Sequence, residues 1–244
     1  MRETRIFPVR RCSVAVLFLF GIISATSAQT PASPKRGTIS VTRLRVPERA
    51  HDRLNKAILS VRKNHLADAL KYTSAAIAIA PDYPEALSLR GFLELNFDQI
   101  EPARRDLAHA LEVDPDYAFA YVHMGSLLNH LAQYDDALRH LARAAELEPK
   151  SWECAFETAK SWLGKRDYER ALAELDRATM LGGDFYLGNA IHLMRGDALV
   201  GLKRYEQGAV EIEAYLAAEP NGSLAAMARQ ILAKVQRNVN LAQK

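Results

Sequence analysis

Cysteine is almost missing from this chain of 244 residues, which carries only Cys12 and Cys154. Cys12 precedes an apolar run instead of closing it, so it is not placed as a lipid-modified cysteine. Cys154 has no internal partner once the leader is set aside, so a disulfide framework is excluded and the residue reads as a small buried apolar group. Long hydrophobic runs are scarce too: the longest, CSVAVLFLFGIISA, is about 14 residues, short of the roughly 20 a spanning helix needs. Also lacking are G-x-G-x-x-G, a Walker loop, G-x-S-x-G and H-E-x-x-H. His123 and His130 stand seven residues apart, about 10.5 Å along a helix, too far for one metal ion. They are expected as solvated or groove-facing polar residues. Asp135 and Asp136 precede a helical run, where carboxylates favour the helix dipole. No catalytic residue, no metal site and no cofactor is assigned.

What is present begins with a leader. MRETRIFPVRR is basic, the apolar run follows, and TSAQ offers small residues for cleavage after Ala28. Residues 1–28 are therefore expected to be a signal peptide. Arg10 and Arg11 are followed by Cys-Ser-Val rather than a bulky apolar residue, which favours the general secretory route over the twin-arginine one. Removing the leader takes four basic residues and one acidic one, leaving 32 − 4 = 28 basic and 29 − 1 = 28 acidic. The mature chain is then neutral, which excludes a nucleic-acid footprint that neutralises many phosphates. The expected location is periplasmic or secreted, with no membrane span after cleavage. Residues 29–49 read as an extended or disordered linker, in which TPASPKRG is a Pro, Ser and Gly stretch and TISVTRLRV is β-like in composition.

A period governs the rest. Pro81, Pro115 and Pro149 are 34 apart, and Pro220 lies 71 further on, which is twice 34 plus 3. Ala69, Ala103, Ala137 and Ala171 keep the same beat, as do Ala76, Ala110, Ala144 and Ala178. Gly91 and Gly125 share it, with Gly196 rejoining after the insertion, and Leu66, Ile100, Tyr134 and Tyr168 share it with Tyr205 rejoining. Within each unit, apolar residues recur at three- and four-residue spacing, so each should form two amphipathic helices, for example over 84–97 and 101–113. Asp82 is the expected N-cap there, with Glu85 three residues later and Pro84 in the first turn.

A beat of 34 with small residues at fixed offsets resembles the tetratricopeptide repeat. The third unit carries it best, in Tyr121, Met124, Gly125, Leu128, Ala137, Leu141, Ala144 and Pro149. The second departs at Arg90 and Glu94, where apolar residues are usual. The first has Arg53, Lys56 and Ala57 in place of the aromatic, leucine and glycine. The fourth has Ala159 for glycine and Gly183 for proline, and the fifth has Gly208 and Tyr215 in the two alanine places, which should alter how its helices close. The chain is identified as resembling an exported bacterial member of this family. The implied fold is all-α, a right-handed α-solenoid of about five hairpins at about 50–83, 84–117, 118–151, 152–188 and 189–222. A C-terminal capping helix over 223–238 covers the last, with Ser223 as its cap and Leu224, Met227, Ile231, Leu232 and Val235 on its apolar side; 239–244 form a tail.

In this family the first helix of each repeat lines a concave groove. Carried onto this chain, the resemblance implies a groove of Leu54 and Ile58, Phe92 and Leu95, Phe119, Val122, Ser126 and Asn129, Phe156 and Lys160, and Leu193 and Asp197. Three phenylalanines along one path suit an extended peptide or helix, although packing between repeats is the alternative use of Phe92, Phe119 and Phe156. Only Asn129 and Lys160 stand where other family members hold a terminal carboxylate. The expectation is a non-catalytic module that binds a protein or peptide partner outside the cytoplasm. The alternative is a structural or self-assembling envelope component; oligomeric state is open.

Overall fold

The computed structural model describes residues 46–182, 188–222 and 224–242. The expected leader, nearly all of the linker before Val46, Gly183 and the Ser223 cap lie outside the described residues. Eleven helices and no strand occur among those described. They are α1 (Glu48–Arg62), α2 (Leu66–Ile79), α3 (Pro84–Asn96), α4 (Ile100–Val113), α5 (Ala118–His130), α6 (Tyr134–Leu147), α7 (Trp152–Lys165), α8 (Tyr168–Met180), α9 (Ala190–Gly201), α10 (Tyr205–Ala218) and α11 (Ala225–Ala242). The chain is an all-α array of helical hairpins of the solenoid class, each hairpin a first helix followed by a second.

Every hairpin turn is built the same way. Asn64, Asp98, Ala132, Arg166 and Lys203 have φ between 58° and 64°, the left-handed region. The first four are 34 apart and the fifth follows after 37, the same three-residue step that the prolines show. In each turn the left-handed residue donates its N–H to a carbonyl three residues back, as in Ala132 to Asn129 at 3.0 Å. The next residue donates five back, as in Gln133 to Leu128 at 2.8 Å. This pair of bonds is the Schellman closure, which satisfies helix-end carbonyls and reverses the chain. None of the five turn residues is glycine.

At two junctions between hairpins the chain passes through a proline beside an aspartate, Pro81-Asp82 and Asp114-Pro115-Asp116. At the α4–α5 junction the buried Asp114 accepts the Asp116 N–H at 3.1 Å, and Tyr117 donates its N–H to the Asp114 carbonyl at 3.1 Å. At the α2–α3 junction the expected N-cap is corrected. Tyr83 occupies that position with extended backbone, α3 has no side-chain cap, and Asp82 is hydrogen-bonded to His109 Nε2 at 2.9 Å. Pro84 has no N–H to satisfy, and the buried Tyr83 ring fixes the entry of the chain in place of a capping carboxylate. Side-chain caps do occur at α7, where Ser151 Oγ accepts the Cys154 N–H at 3.0 Å, and at α8, where Asp167 accepts from Arg170 at 3.2 Å.

Two compact units are distinguished: residues 46–127 with 139–149, and residues 128–138 with the described residues from 150 on. Helices α5 and α6 give residues to both. In the first unit the small positions are closed to solvent, with Ala57, Ala69, Ala76, Ala103 and Ala110 at 0% exposure. Gly91 lies so near α4 that an added Cβ would stand 2.8 Å from Leu107 Cγ and 3.0 Å from the Ala103 carbonyl oxygen. Gly125 meets Leu141 in the same way at 2.7 Å. Helix α2 also packs on α3, and Leu87, Ala110, Tyr117 and Ala120 form a core against which Ile77, Leu111 and Phe119 pack.

In the second unit, α9 and α10 approach closely although Gly208 and Tyr215 replace alanines. A Cβ on Gly196 would lie 2.6 Å from Ile212 Cγ1 and 3.3 Å from the Gly208 carbonyl oxygen. The larger Tyr215 instead turns its volume toward α11, in a core with Leu193, Val200, Ile212, Ala228, Ile231 and Val235. Leu224, Met227 and Leu232 pack at its edge. The outer side of α11 carries Arg229, Gln230, Lys234, Gln236 and Arg237, all exposed, so α11 shields the apolar flank of the last hairpin and turns a polar face to water.

Candidate functional site

The candidate residues lie on the first helices of the hairpins, and burial sorts them into two kinds. In the first unit, Leu54, Phe92 and Val122 are buried, as is Ser126, while Ile58, Leu95 and Phe119 retain surface. In the second, Asn129, Phe156 and Leu193 are buried, while Lys160 and Asp197 are partly exposed. Of the three phenylalanines, Phe156 has 0% exposure and Phe92 has 4%. These two pack inside the array, and Phe119 is the one with surface to offer.

Phe119 is held by aromatic neighbours. Its ring centroid is 6.0 Å from that of Tyr117 and 6.4 Å from that of His123. His123 in turn stacks on Phe92 at 5.0 Å and is hydrogen-bonded through Nδ1 to the Ser88 hydroxyl at 2.8 Å. This corrects the expectation of a solvated or groove-facing histidine: His123 is 4% exposed. Desolvation pushes its pKa down to about 4, so it is a neutral ring filling the layer beneath Phe119. No polar periodicity distinguishes such a histidine from a surface one in the sequence.

The second unit contains a polar network. The Asn129 amide donates to the Glu157 carbonyl oxygen and to Glu157 Oε2, both at 2.9 Å, and Ser161 Oγ donates to Asn129 Oδ1 at 2.7 Å. Lys160 Nζ donates to Glu157 Oε1 at 2.7 Å and lies 5.9 Å from the Phe156 ring centroid. Glu157 has 0% exposure, and both its oxygens are engaged. The Asn129 and Lys160 groups that stand where other family members hold a carboxylate are thus already occupied by a carboxylate of the chain itself. Sequence reasoning missed Glu157; its one sequence signal is the spacing of three to Lys160, which is common on solvated helix faces too.

Asp197, on α9 among the buried Leu193 and Val200, has a carboxyl that desolvation raises to about 7. Burial also pushes the Cys154 thiol up to about 11, so it is a poor nucleophile at neutral pH. Among the described residues no group of three or more His, Cys, Asp or Glu is arranged to hold a metal ion, and no helix is long and apolar enough to cross a membrane.

Paired helices, each pair closed by the same left-handed turn and brought close together at small residues, define the helical-hairpin repeat class. The 34-residue beat narrows the class, and comparison with solved structures agrees: the chain folds as a tetratricopeptide repeat protein. It is similar to the Thermus thermophilus protein TTC0263, a thermophilic TPR protein, with a TM-score of 0.62 and 16% identity over 77% of this chain and 98% of that one. It is similar to a chain of the APC/C hetero-tetramer Cut9–Hcn1, with a TM-score of 0.70 and 19% identity over 80% of this chain, which spans 38% of that longer one. A third likeness is to YrrB, described as a TPR protein with an unusual peptide-binding site, with a TM-score of 0.50 and 20% identity over 74% and 92% of the two chains. At these identities the likeness is one of fold. No family model matches the sequence, and no curated protein matches it.

Proposed function

We propose that the protein is a non-catalytic interaction module, acting outside the cytoplasm, that holds an extended peptide or a helix of a protein partner along the line of first helices. The observation that carries this reading is the contrast on that line in the first unit. Leu54, Phe92 and Val122 are buried, while Ile58, Leu95 and Phe119 on three successive first helices keep part of their surface. Apolar anchors spaced in this way suit helix-in-groove or extended-peptide recognition. The peptide-binding site for which YrrB is named supports the use of this fold for such a ligand. Support for action outside the cytoplasm is the basic, apolar and small-residue order of residues 1–28.

A photo-activatable phenylalanine analogue placed at Phe119, and separately at the exposed Glu112 of α4 as a control, tests this in cells expressing the processed protein. A discrete protein adduct at position 119 and none at 112, weakened by Leu95→Ala, is the expected result. Equal labelling at both positions, or none at 119, overturns the groove. Light scattering of the processed chain addresses the second reading, since a mass that rises with concentration favours a self-assembling envelope component.

A further inference from the structure

The second hairpin contains a cluster that neither the array nor the groove requires. Arg90 on α3 is gripped from α4 by Asp106: Nη2 donates to Oδ1 at 2.7 Å and Nε donates to Oδ2. Glu94, one turn further along α3, brings its Oε1 only to 3.7 Å from Arg90 Nε, beyond hydrogen-bond length. Its other oxygen, Oε2, is buried and makes no hydrogen bond. Glu94 and Asp106 are each 8% exposed. Two buried carboxylates therefore share one guanidinium, and Asp106 holds the Nε–Nη2 edge that Glu94 approaches. One negative charge is left over in a place that water scarcely reaches.

Other charged groups around the cluster do not make up the deficit. Helix α4 contributes Asp106, which repels the Glu94 charge, and the exposed Arg105, whose attraction is the weakest influence on it. The charged residues of α2, Asp68 and Lys71, are exposed and do not act on Glu94. On α5, His123 is turned into its contact with Ser88 and Phe92, and Tyr121 faces His140.

We propose that the Arg90–Glu94–Asp106 cluster is a proton-operated latch on the second hairpin: Glu94 carries a proton in the folded state, and its loss loosens the contact between α3 and α4. Because α3 also carries the buried Phe92 and the partly exposed Leu95, on either side of Glu94 in sequence, the latch, on the groove reading proposed above, sets how firmly that part of the line is held. Burial, then repulsion by Asp106, hold the Glu94 carboxyl at about 7 against an ordinary value of 4.5. The folded hairpin thus keeps a proton that the unfolded chain has released. Stability is full below about pH 4.5, falls as the pH rises toward about 7, and is level above that.

The test is a carbon-detected NMR titration of the Glu94 carboxyl in the full processed chain. It is paired with urea unfolding from pH 4.5 to 8 of the wild type, Glu94→Gln and the exposed control Glu101→Gln. Glu94 is expected to titrate near pH 7. The Glu94→Gln midpoint should stand above the wild type at pH 8 and converge with it toward pH 4.5, while Glu101→Gln tracks the wild type throughout. A Glu94 carboxyl that titrates below about 5, or a Glu94→Gln midpoint that runs parallel to the wild type, overturns the latch. The titration on the wild type decides the matter even if Glu94→Gln folds poorly.

Discussion

The ring of Tyr134, at the start of α6, covers Gly164 near the end of α7 so closely that a Cβ on that glycine would run into the ring carbons. Tyr168 covers Gly201 in the same manner. The two contacts join residues 30 and 33 apart, so the three-residue insertion in the fourth unit is absorbed without losing the pairing. Gly164→Ala gains about 1 kcal/mol of helix propensity, but it overfills a closed contact, at a cost of about 1–3 kcal/mol. The expected net result is a lower thermal midpoint by circular dichroism, largely restored by adding Tyr134→Leu. A Gly164→Ala midpoint at or above wild type contradicts the contact.

Ala132 adopts φ 58° in the α5–α6 turn, where a β-carbon costs about 1–2 kcal/mol relative to glycine. Ala132→Gly relieves that strain and loses part of the gain to the greater entropy of the unfolded chain. The expected outcome is stabilisation by about 0.5–1 kcal/mol in urea unfolding. The turn's two backbone bonds stay in place, so helix content should not change.

Removing Glu157 should be costly, because it would leave the Asn129 amide and the Lys160 ammonium facing a site built for a carboxylate. Glu157→Ala is expected to destabilise by about 3–5 kcal/mol, the usual result of breaking one side of a buried pair. Glu157→Gln keeps the Asn129 contact and should lose less. Equal unfolding midpoints for wild type and Glu157→Ala would show that the network contributes nothing.

Much of the fold was legible because its constraints are periodic. Alanines and glycines at fixed offsets mark crossings where only small residues fit, and prolines mark ends where a helix cannot continue. The left-handed turn residues keep the same beat but escaped notice, since Asn64, Asp98, Ala132, Arg166 and Lys203 share a backbone angle and no side-chain chemistry. The candidate site was legible as a line of positions and not as a surface. Phe92, Phe119 and Phe156 look alike in sequence, and only packing separates a buried ring from an exposed one. Glu157 and His123 were hidden for a related reason: a polar residue on a helix reads as solvated until its partners, here 28 and 35 residues away, are brought to it.

Asp197 predicts a second pH effect, separate from the latch. Polar neighbours on α9 are engaged elsewhere, Arg195 with Asp176 at 2.5 Å and His192 hydrogen-bonded to Glu211 at 2.7 Å, and desolvation alone raises the Asp197 carboxyl from 3.8 to about 7. A carboxyl raised in the folded state costs nothing below its unfolded value and progressively more as pH rises toward its folded one. Asp197→Asn should therefore be more stable than wild type by about 2 kcal/mol at pH 8, after allowance for its partial exposure. The gap should close by pH 4. Calorimetry of both proteins across that range checks it.

These hairpins have no independent shelter from water and depend on a packed neighbour. Deleting residues 223–244 uncovers Leu193, Ile212 and Tyr215, which α11 now buries. The decisive measurement is amide hydrogen exchange on the truncated chain. Protection is expected to collapse in α9 and α10, with the helical signal falling by more than α11 alone supplies. Full protection of α9 and α10 without α11 would contradict it.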